Sequence, residues 1–280
     1  MNKNKIKCIA KYIKNADAIV IGAGAGLSIS AGLSYSGKRF ENNFSEYIKR
    51  YGMSDMYSAG FYPFESQEEK WAYWSKHIYL NRYEFPSGQV YKYLLEIIKE
   101  KKYFVITTNV DHQFIKAGFQ SDNIFATQGD YGLLQCKYAC HKKLYENKNI
   151  VYDMVKIQRD CKIPINLVPK CPVCGGDMEV NLRCDNYFVE DSNWDKAYEN
   201  YNKFIVENIN NNIVFIELGV GMNTPGIIKY QFWKLTNQIA NSKYVCINLN
   251  ETYCPQEIRN KSIYINEDIA KVVMELKNII

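Results

Sequence analysis

Residues 18–32 read AIVIGAGAGLSISAG, an apolar strand that runs directly into a glycine-rich turn and then into a helical pattern. Strand, glycine turn and helix in this order are typical of the first unit of a nucleotide-binding α/β fold. The dinucleotide fingerprint Gly-x-Gly-x-x-Gly is incomplete, because its last position is Leu27 when counted from Gly22 and Ile29 when counted from Gly24. The acidic residue that dehydrogenases need at the end of a second strand, about 20 residues on, is also missing. The stretch therefore disfavours hydride transfer. It leaves open a pyrophosphate-binding turn and a purely structural one.

Three more uninterrupted apolar runs end in polar or glycine residues. They are residues 103–107, followed by Thr108-Asn109-Val110-Asp111; residues 213–218, followed by Gly219-Val220-Gly221; and residues 244–248, followed by Leu249-Asn250. Amphipathic helical patterns separate the runs, one over residues 90–98 and one beginning at Pro225. This alternation predicts an α/β fold with a Rossmann-like parallel sheet that carries helices on both faces. Ligands bind at the carboxyl ends of the strands in such sheets, so we expect the site among these polar residues.

Composition narrows the class of protein. The 280 residues include 35 Lys plus Arg and 30 Asp plus Glu, for a net charge of +5, and 47% are apolar. These values are typical of a soluble globular protein and exclude a disordered chain, a collagen and a coiled coil. No apolar run reaches the ~18 residues that span a bilayer, and the N-terminus lacks a signal-peptide pattern. We therefore expect a cytoplasmic protein with no membrane partner. The basic residues are scattered, so no nucleic-acid partner is expected either.

Four of the nine cysteines form two close pairs, Cys136-x-x-x-Cys140 and Cys171-x-x-Cys174. Disulfides are rare in a reducing cytosol, whereas two such pairs match tetrahedral thiolate ligation of zinc. Four protein ligands leave no open coordination position, so the predicted zinc is structural. A redox dithiol is the weaker alternative, because the thioredoxin context is missing. The remaining cysteines are interpreted as ordinary thiols; they are Cys8, Cys161, Cys184, Cys246 and Cys254.

Two segments interrupt the strand–helix alternation. Residues 38–86 are predicted to be mainly helical, with Ser66 and Glu69 as a capping box before Trp71, Trp74 and Ile78. We interpret these tryptophans as core residues. The cysteine pairs lie in the second segment, a small zinc-binding module. The predicted division is a Rossmann-like domain of residues 1–37, 87–130 and 183–280, a helical insertion of residues 38–86 and a zinc-binding module of residues 131–182.

The order of the motifs resembles the sirtuin family over nearly the whole chain, from about residue 8 to 278. The matching residues are Gly24-Ala25-Gly26-Leu27-Ser28 with Gly32, Thr107-Thr108-Asn109-Val110-Asp111, Gln128-Gly129, the four cysteines, Leu182-Arg183, Gly219-Val220-Gly221 and Ile247-Asn248. Sirtuins typically read Gly-Ala-Gly-Ile-Ser, Thr-Gln-Asn-Ile-Asp, His-Gly, four zinc cysteines, Leu-Arg-Pro, Gly-Thr-Ser and Ile-Asn. The resemblance implies NAD as cosubstrate, a Rossmann-like large domain and a structural zinc module.

The departures from the family pattern bear on the reaction. Residues 34–37 read Ser-Tyr-Ser-Gly where deacylating sirtuins carry Pro-Asp-Phe-Arg, and Thr108 replaces a glutamine. Gln128 stands where the family has the histidine that acts as general base. A neutral amide has no useful pKa and cannot take over that proton transfer.

None of the three histidines is expected to replace the missing base. His77 lies in the helical insertion behind the tryptophans, and His141 adjoins Cys140, either beside the metal ligands or at the surface. His112 follows Asp111 and is the nearest to the predicted cleft, but at the start of a helix its side chain has no defined direction.

This pattern resembles the macrodomain-linked class M sirtuins of bacteria, which also lack the histidine. That resemblance implies mono-ADP-ribosylation of a protein. It further implies a lipoylated H-like carrier protein of the glycine-cleavage type as acceptor and a macrodomain protein that reverses the mark. Two alternatives stay open: a deacylase with an unusual base, and a catalytically inactive NAD-binding sensor.

The resemblance also implies which residues form the site. Asn109 and Asp111 would contact the ribose and the nicotinamide amide, with a strand-end cap as the weaker alternative, and Gln128 would bond the ribose hydroxyls. Arg183 would pin a phosphate, orient the acceptor or stabilise developing charge, unless it forms a surface salt bridge between the zinc module and the sheet. The catalytic set is Asn109, Asp111, Gln128 and Arg183. The cofactor-binding set shares Asn109, Asp111 and Gln128 with it, leaves out Arg183, and further contains Gly24, Ala25, Gly26, Ser28, Gly32, Thr108, Gly219, Gly221 and Asn248.

Overall fold

The computed structural model describes residues 3–280. The strands in that range are β1 (Ala18–Ala23), β2 (Lys102–Thr107), β3 (Ile124–Ala126), β4 (Gly129–Cys136), β5 (Tyr145–Glu146), β6 (Met178–Leu182), β7 (Ile213–Leu218), β8 (Ser242–Asn248) and β9 (Ser262–Asn266). The α-helices are α1 (Lys3–Asn15), α2 (Ala25–Ser30), α3 (Lys38–Tyr51), α4 (Met56–Ala59), α5 (Gln67–Ile78), α6 (Gln89–Ile98), α7 (Gln113–Lys116), α8 (Lys148–Ile157), α9 (Ser192–Glu207), α10 (Lys229–Gln238) and α11 (Ile269–Lys277). Among the described residues, no helix is both long and apolar enough to cross a membrane.

The chain divides into two compact units, and unit 1 comprises Met1–Gly32, Ser87–Gln128 and Ser192–Ile280. It holds a six-stranded sheet in the order β3-β2-β1-β7-β8-β9, and every pairing in it is parallel. All residues of β1 and β7 are buried, as expected for central strands of a sheet covered on both faces. The predicted Rossmann-like fold is confirmed.

Two apolar clusters cover the two faces of this sheet. Ile19 and Ile21 of β1 belong to one cluster, together with apolar residues of α1, α6 and α11. Val20, between them, belongs to the other cluster, together with residues of α9 and α10. Neighbouring strand residues point to opposite faces, so an uninterrupted apolar strand supplies both cores at once.

Unit 2 comprises Leu33–Pro86 and Gly129–Asp191. Its three-stranded antiparallel sheet has the order β5-β4-β6, and its helices are α3, α4, α5 and α8. Polar contacts join its two segments: Arg82 Nε lies 2.7 Å from Asp130 Oδ1 and Lys70 Nζ lies 2.5 Å from Glu179 Oε2. The helical segment and the cysteine-bearing segment, which appear as separate insertions along the sequence, therefore fold together.

Helix α5 begins at the predicted cap, but the capping box is only half formed. Ser66 Oγ accepts a 3.3 Å hydrogen bond from the Glu69 backbone N–H. The Glu69 carboxylate is 3% exposed and pairs with Arg50 at 3.1 Å and with Lys162 at 3.4 Å. Two cations attract this buried carboxylate more strongly than one backbone N–H does. The predicted core role of Trp71 is confirmed, since it is 1% exposed.

Candidate active site and metal centre

The glycine turn after β1 packs backbone against backbone on the turn after β7. Gly24 N–H donates to the Leu218 carbonyl and Gly26 N–H to the Gly219 carbonyl, both at 3.0 Å. A Cβ on Gly24 would lie 2.7 Å from the Gly219 oxygen, and one on Gly26 would lie 2.7 Å from the Gly219 Cα. Gly219 itself has a φ of +62°, which favours glycine. This packing alone requires all three glycines, and it occupies the backbone N–H groups of Gly24 and Gly26, which a pyrophosphate-binding turn would offer to its ligand. The predicted phosphate contacts of the turn stay a prediction.

Three predicted site residues meet beside this turn. Asn109 Nδ2 donates to the Gly24 carbonyl at 2.9 Å and to Ser28 Oγ at 3.1 Å. Ser28 Oγ in turn donates to Asp111 Oδ2. Thr107 supports the loop, because its Oγ1 donates to the Ala23 carbonyl and accepts from the Asn109 N–H, both at 3.0 Å. Parallel β1 and β2 end side by side, which brings α2 and the loop after β2 into contact. We call Ser28, Asn109 and Asp111 the polar cluster.

Two further residues of unit 1 form hydrogen bonds with the polar cluster, and the sequence analysis did not assign them to the site. The Tyr91 hydroxyl lies 2.9 Å from Ser28 Oγ. Gln113 N–H donates to Asp111 Oδ1 at 3.1 Å, and its own Oε1 accepts the Gly88 N–H at 3.0 Å. A phenol within the apolar face of α6 was the available signal for Tyr91, because a buried hydroxyl requires a partner.

The other predicted residues of unit 1 also lie at the carboxyl edge of its sheet. Thr108 N–H donates to the Ala23 carbonyl at 3.1 Å, and Asn248 Nδ2 donates to the Val220 carbonyl at 3.0 Å. Thr127 N–H donates to the Thr107 carbonyl at 2.9 Å, which brings the next residue, Gln128, to the same edge, where it is half-buried. Gly32, at the end of unit 1's first segment, has a φ of +100°. Ala25 and Gly221, in the two turns, are exposed.

Arg183 belongs to unit 2, where it follows β6. Its guanidinium carbon lies 4.4 Å from the centre of the Phe188 ring, and Nη2 donates to Glu190. The side chains of Arg183 and Glu190 are 38% and 37% exposed, so a ligand can reach both.

Two buried amides hold the segment that carries Arg183 against the sheet of unit 2. Asn181 Nδ2 donates to Gln135 Oε1 at 2.7 Å and to the Val189 carbonyl at 3.1 Å. The same Gln135 oxygen accepts the Val189 N–H at 3.0 Å, and Gln135 Nε2 donates to the Tyr187 carbonyl at 2.8 Å. Residues 183–190 therefore have a defined backbone path.

His77 lies in the core of unit 2. Burial, reinforced by the positive charge of Arg39, lowers its pKa from 6.5 to about 3. Its Nδ1 lies 3.2 Å from the Tyr73 hydroxyl, which donates to the Met56 carbonyl at 2.6 Å, so Nδ1 carries the proton and donates to Tyr73. His77 is thus a neutral core residue at physiological pH.

His112 starts α7 with a left-handed backbone, φ 64°, and is half-buried.

The four paired cysteines converge in unit 2. Their Sγ atoms all lie within 4.8 Å of one another, and the Cys136–Cys174 and Cys140–Cys171 pairs are 3.7 Å apart. Zinc bound at about 2.3 Å by four thiolates has sulfur–sulfur separations of about 3.8 Å. Burial acts to raise the Cys171 pKa, but hydrogen bonds from nearby backbone N–H groups and from the neighbouring cysteines prevail and lower it to about 6. The donor set and its spacing fit a structural zinc ion.

His141 lies beside these ligands, one of the two positions that the sequence left open. Its Nδ1 is 3.1 Å from Cys140 Sγ and 3.9 Å from Cys171 Sγ. Its Nε2 is 2.9 Å from the Tyr145 hydroxyl. His141 therefore contacts the thiols through one ring nitrogen and Tyr145 through the other.

Comparison with curated protein sequences gives two relatives. The chain is 37% identical over 262 residues to a protein ADP-ribosyltransferase of Staphylococcus aureus. The aligned region covers 93% of this chain and 83% of the relative. The chain is 30% identical over 239 residues to a probable bifunctional ADP-ribose hydrolase/ADP-ribosyltransferase of Fusarium oxysporum. That aligned region covers 79% of this chain and 38% of the relative. No family model matches the chain.

Solved structures share the fold. A structure of Sir2Tm bound to a propionylated peptide superposes with a TM-score of 0.62 at 16% identity and covers 98% of both chains. A complex of Sir2 with a p53 peptide and NAD+ has a TM-score of 0.58 at 17% identity and covers 98% of this chain and 97% of that one. Because the S. aureus relative aligns over most of both chains and the fold is that of Sir2, the chain belongs to the sirtuin-type, NAD-dependent protein ADP-ribosyltransferases.

Proposed function

We propose that this transferase attaches a single ADP-ribose to a lipoylated H-like carrier protein and releases nicotinamide. The observation that carries the proposal is the combination at the carboxyl edge of the sheet: the polar cluster is complete, while Gln128 occupies the position of the family's histidine base. The site keeps the groups that hold NAD and lacks the base that deacylation needs.

The polar cluster fits the nicotinamide end of NAD. Asn109 uses Nδ2 for its contacts to Gly24 and Ser28, and among residues 3–280 no protein group donates a hydrogen bond to its Oδ1. That oxygen can accept from a carboxamide N–H group. NAD supplies the ADP-ribosyl group, whose anomeric carbon becomes electron-poor as nicotinamide leaves. The site therefore needs to hold and orient its ligands and to exclude water, more than to supply a strong base.

Each remaining group has a role consistent with its chemistry. Gln128 carries both an amide donor and an acceptor, so it can hold the ribose hydroxyls without removing a proton. Asp111 orients Ser28 and places a negative charge beside the position expected for the ribose. The partly exposed Arg183 can bind a phosphate or the acceptor, since its planar guanidinium suits bidentate contacts. Zinc at the four cysteines would cross-link the loops of unit 2 and has no part in the transfer.

Two observations support the proposed partners. The pattern of residues resembles class M sirtuins, which implies the lipoylated carrier as acceptor and a macrodomain protein that reverses the mark. The F. oxysporum relative is named as both an ADP-ribose hydrolase and an ADP-ribosyltransferase, which supports a link between the two activities. For this chain we propose that the hydrolase is a separate macrodomain protein.

Radiolabelled NAD offered with a lipoylated H-like carrier tests the proposal. We expect label on the carrier, and we expect Asn109→Ala and Gln128→Ala each to reduce labelling by about 100-fold, because a misplaced ligand loses that much rate. Gln120→Ala is the matched control, because it also removes a side-chain amide from unit 1, but at an exposed position outside the predicted site. Circular dichroism checks that all three variants fold.

The alternative functions predict different products. Nicotinamide release together with a deacylated peptide, when an acetylated peptide is the acceptor, would support a deacylase. Absence of any NAD turnover would support an inactive sensor. Wild-type labelling in both Asn109→Ala and Gln128→Ala would refute the site assignment, and label on the unlipoylated carrier alone would refute the proposed acceptor.

A further inference from the structure

Tyr91 reaches the polar cluster from a helix that contributes no other residue to it. Its side chain is 0% exposed, and its ring packs edge-on against Phe114 with centroids 4.9 Å apart. Its hydroxyl lies 2.9 Å from Ser28 Oγ. A phenol in an apolar core could be a phenylalanine at no loss of packing, so the hydroxyl is the informative atom.

The hydrogen-bond capacity of Ser28 determines the direction of that contact. A serine hydroxyl has one proton and two lone pairs. Its proton goes to Asp111 Oδ2, and Asn109 Nδ2 donates to one lone pair. The Tyr91 hydroxyl is therefore the donor to the second lone pair, and the Ser28 hydroxyl has no capacity left for another hydrogen bond.

Ser28 Oγ is consequently the atom at which three elements meet. Ser28 comes from α2, Asn109 and Asp111 from the loop after β2, and Tyr91 from α6. Without the phenol proton the Ser28 hydroxyl has only two of its three partners, and rotation about its χ1 would break the contacts to Asn109 and Asp111. The Tyr91 hydroxyl thus holds the serine in the rotamer that the cluster requires.

We propose that Tyr91 is a positioning residue for ADP-ribosyl transfer. It orients Asn109 and Asp111 through Ser28 and does not touch NAD. This inference rests on the proposed roles of Asn109 and Asp111. Most of the binding energy of a dinucleotide comes from contacts elsewhere on the molecule, so misalignment at the reacting end lowers kcat far more than it raises KM.

Tyr91→Phe tests the inference, because it removes only the hydroxyl and keeps the ring on Phe114. With NAD and the carrier protein varied in turn, we expect kcat to fall by about 10–100-fold while KM for NAD changes by less than about threefold. Tyr103→Phe is the matched control. Tyr103 is also buried, packs edge-on on Phe119 and accepts the Gln120 N–H at 3.1 Å, but it lies near the amino end of β2.

The variants separate this inference from the proposed function. A loss of kcat in Asn109→Ala and Tyr91→Phe, but not in Tyr103→Phe, supports it. A loss in Asn109→Ala alone overturns the role of Tyr91 and leaves the proposed function standing. Equal losses in Tyr91→Phe and Tyr103→Phe would mean a general effect on folding and would also overturn it. Wild-type kcat in Asn109→Ala would overturn the site assignment and this inference together.

Discussion

Replacing Lys229 by methionine should destabilise unit 1, because the Glu217 carboxylate would lose its counter-charge inside the core. Lys229 Nζ lies 2.5 Å from Glu217 Oε1, and the two side chains are 2% and 0% exposed. The same carboxylate accepts a 2.7 Å hydrogen bond from the Tyr244 hydroxyl, and the Cys246 thiol, at 3.5 Å, is a weak donor. Neither neutral group can compensate a full negative charge.

The size of the effect follows from the burial of both partners. Removing one member of a buried ion pair costs about 3–5 kcal/mol. For a unit of roughly 160 residues, each kcal/mol lowers Tm by about 2–4 °C, so Lys229→Met should lower Tm by about 6–20 °C. Urea unfolding followed by far-UV circular dichroism, together with thermal scans, measures both quantities.

A double variant and an exposed control sharpen this test. Adding Glu217→Gln to Lys229→Met removes the unpaired charge and keeps an acceptor for Tyr244, so the double variant should be more stable than the single one and within about 2 kcal/mol of the wild type. The Lys203–Glu207 pair is 73% and 60% exposed, so Lys203→Met should change stability by less than about 0.5 kcal/mol. The reasoning would be refuted if Lys229→Met lowered the free energy of unfolding by less than about 1 kcal/mol, or if the double variant were less stable than the single one.

Three further predictions concern the metal centre, the glycine turn and the buried histidine. His141→Ala should release bound zinc to a chromophoric chelator about 10–100 times faster, because its contact to the thiolates is lost; an unchanged rate would contradict it. Gly26→Ala should cost about 1–3 kcal/mol in urea unfolding, since the new Cβ lies 2.7 Å from the Gly219 backbone, and wild-type stability would disprove the close packing. His77, whose folded pKa of about 3 lies below its unfolded value of 6.5, takes up a proton first in the unfolded state, so stability should fall as pH drops from 6.5 towards 3, by up to about 5 kcal/mol. His77→Phe should flatten that pH dependence, and an identical profile in both proteins would rule out His77 as its source.

The strands that organise the site could be predicted from sequence, because their signal is local. β1, β2, β7 and β8 each contain an apolar run, broken in β7 only by Glu217, that leads into polar or glycine residues, and burial on both faces of a sheet accounts for such runs. The edge strands were not predicted. β3 has only three residues, and the five of β9 are mostly half-buried, so neither has the apolar continuity that marks a central strand.

The sequence by itself determined the α/β class, the polar ends of the four central strands, the four-cysteine centre and the substitution of Gln128 for a base. The first three depend on residue type and spacing along the chain, and the last follows from the resemblance to the sirtuin family. Only the tertiary structure decided that the helical and cysteine-bearing segments form one unit, that Glu69 pairs with two cations instead of closing its cap, and that Tyr91 donates to Ser28. The physical reason is that periodicity reports how deeply a side chain is buried. The partner of a buried polar atom depends on which distant elements meet there, and Tyr91 lies 63 residues from Ser28 along the chain.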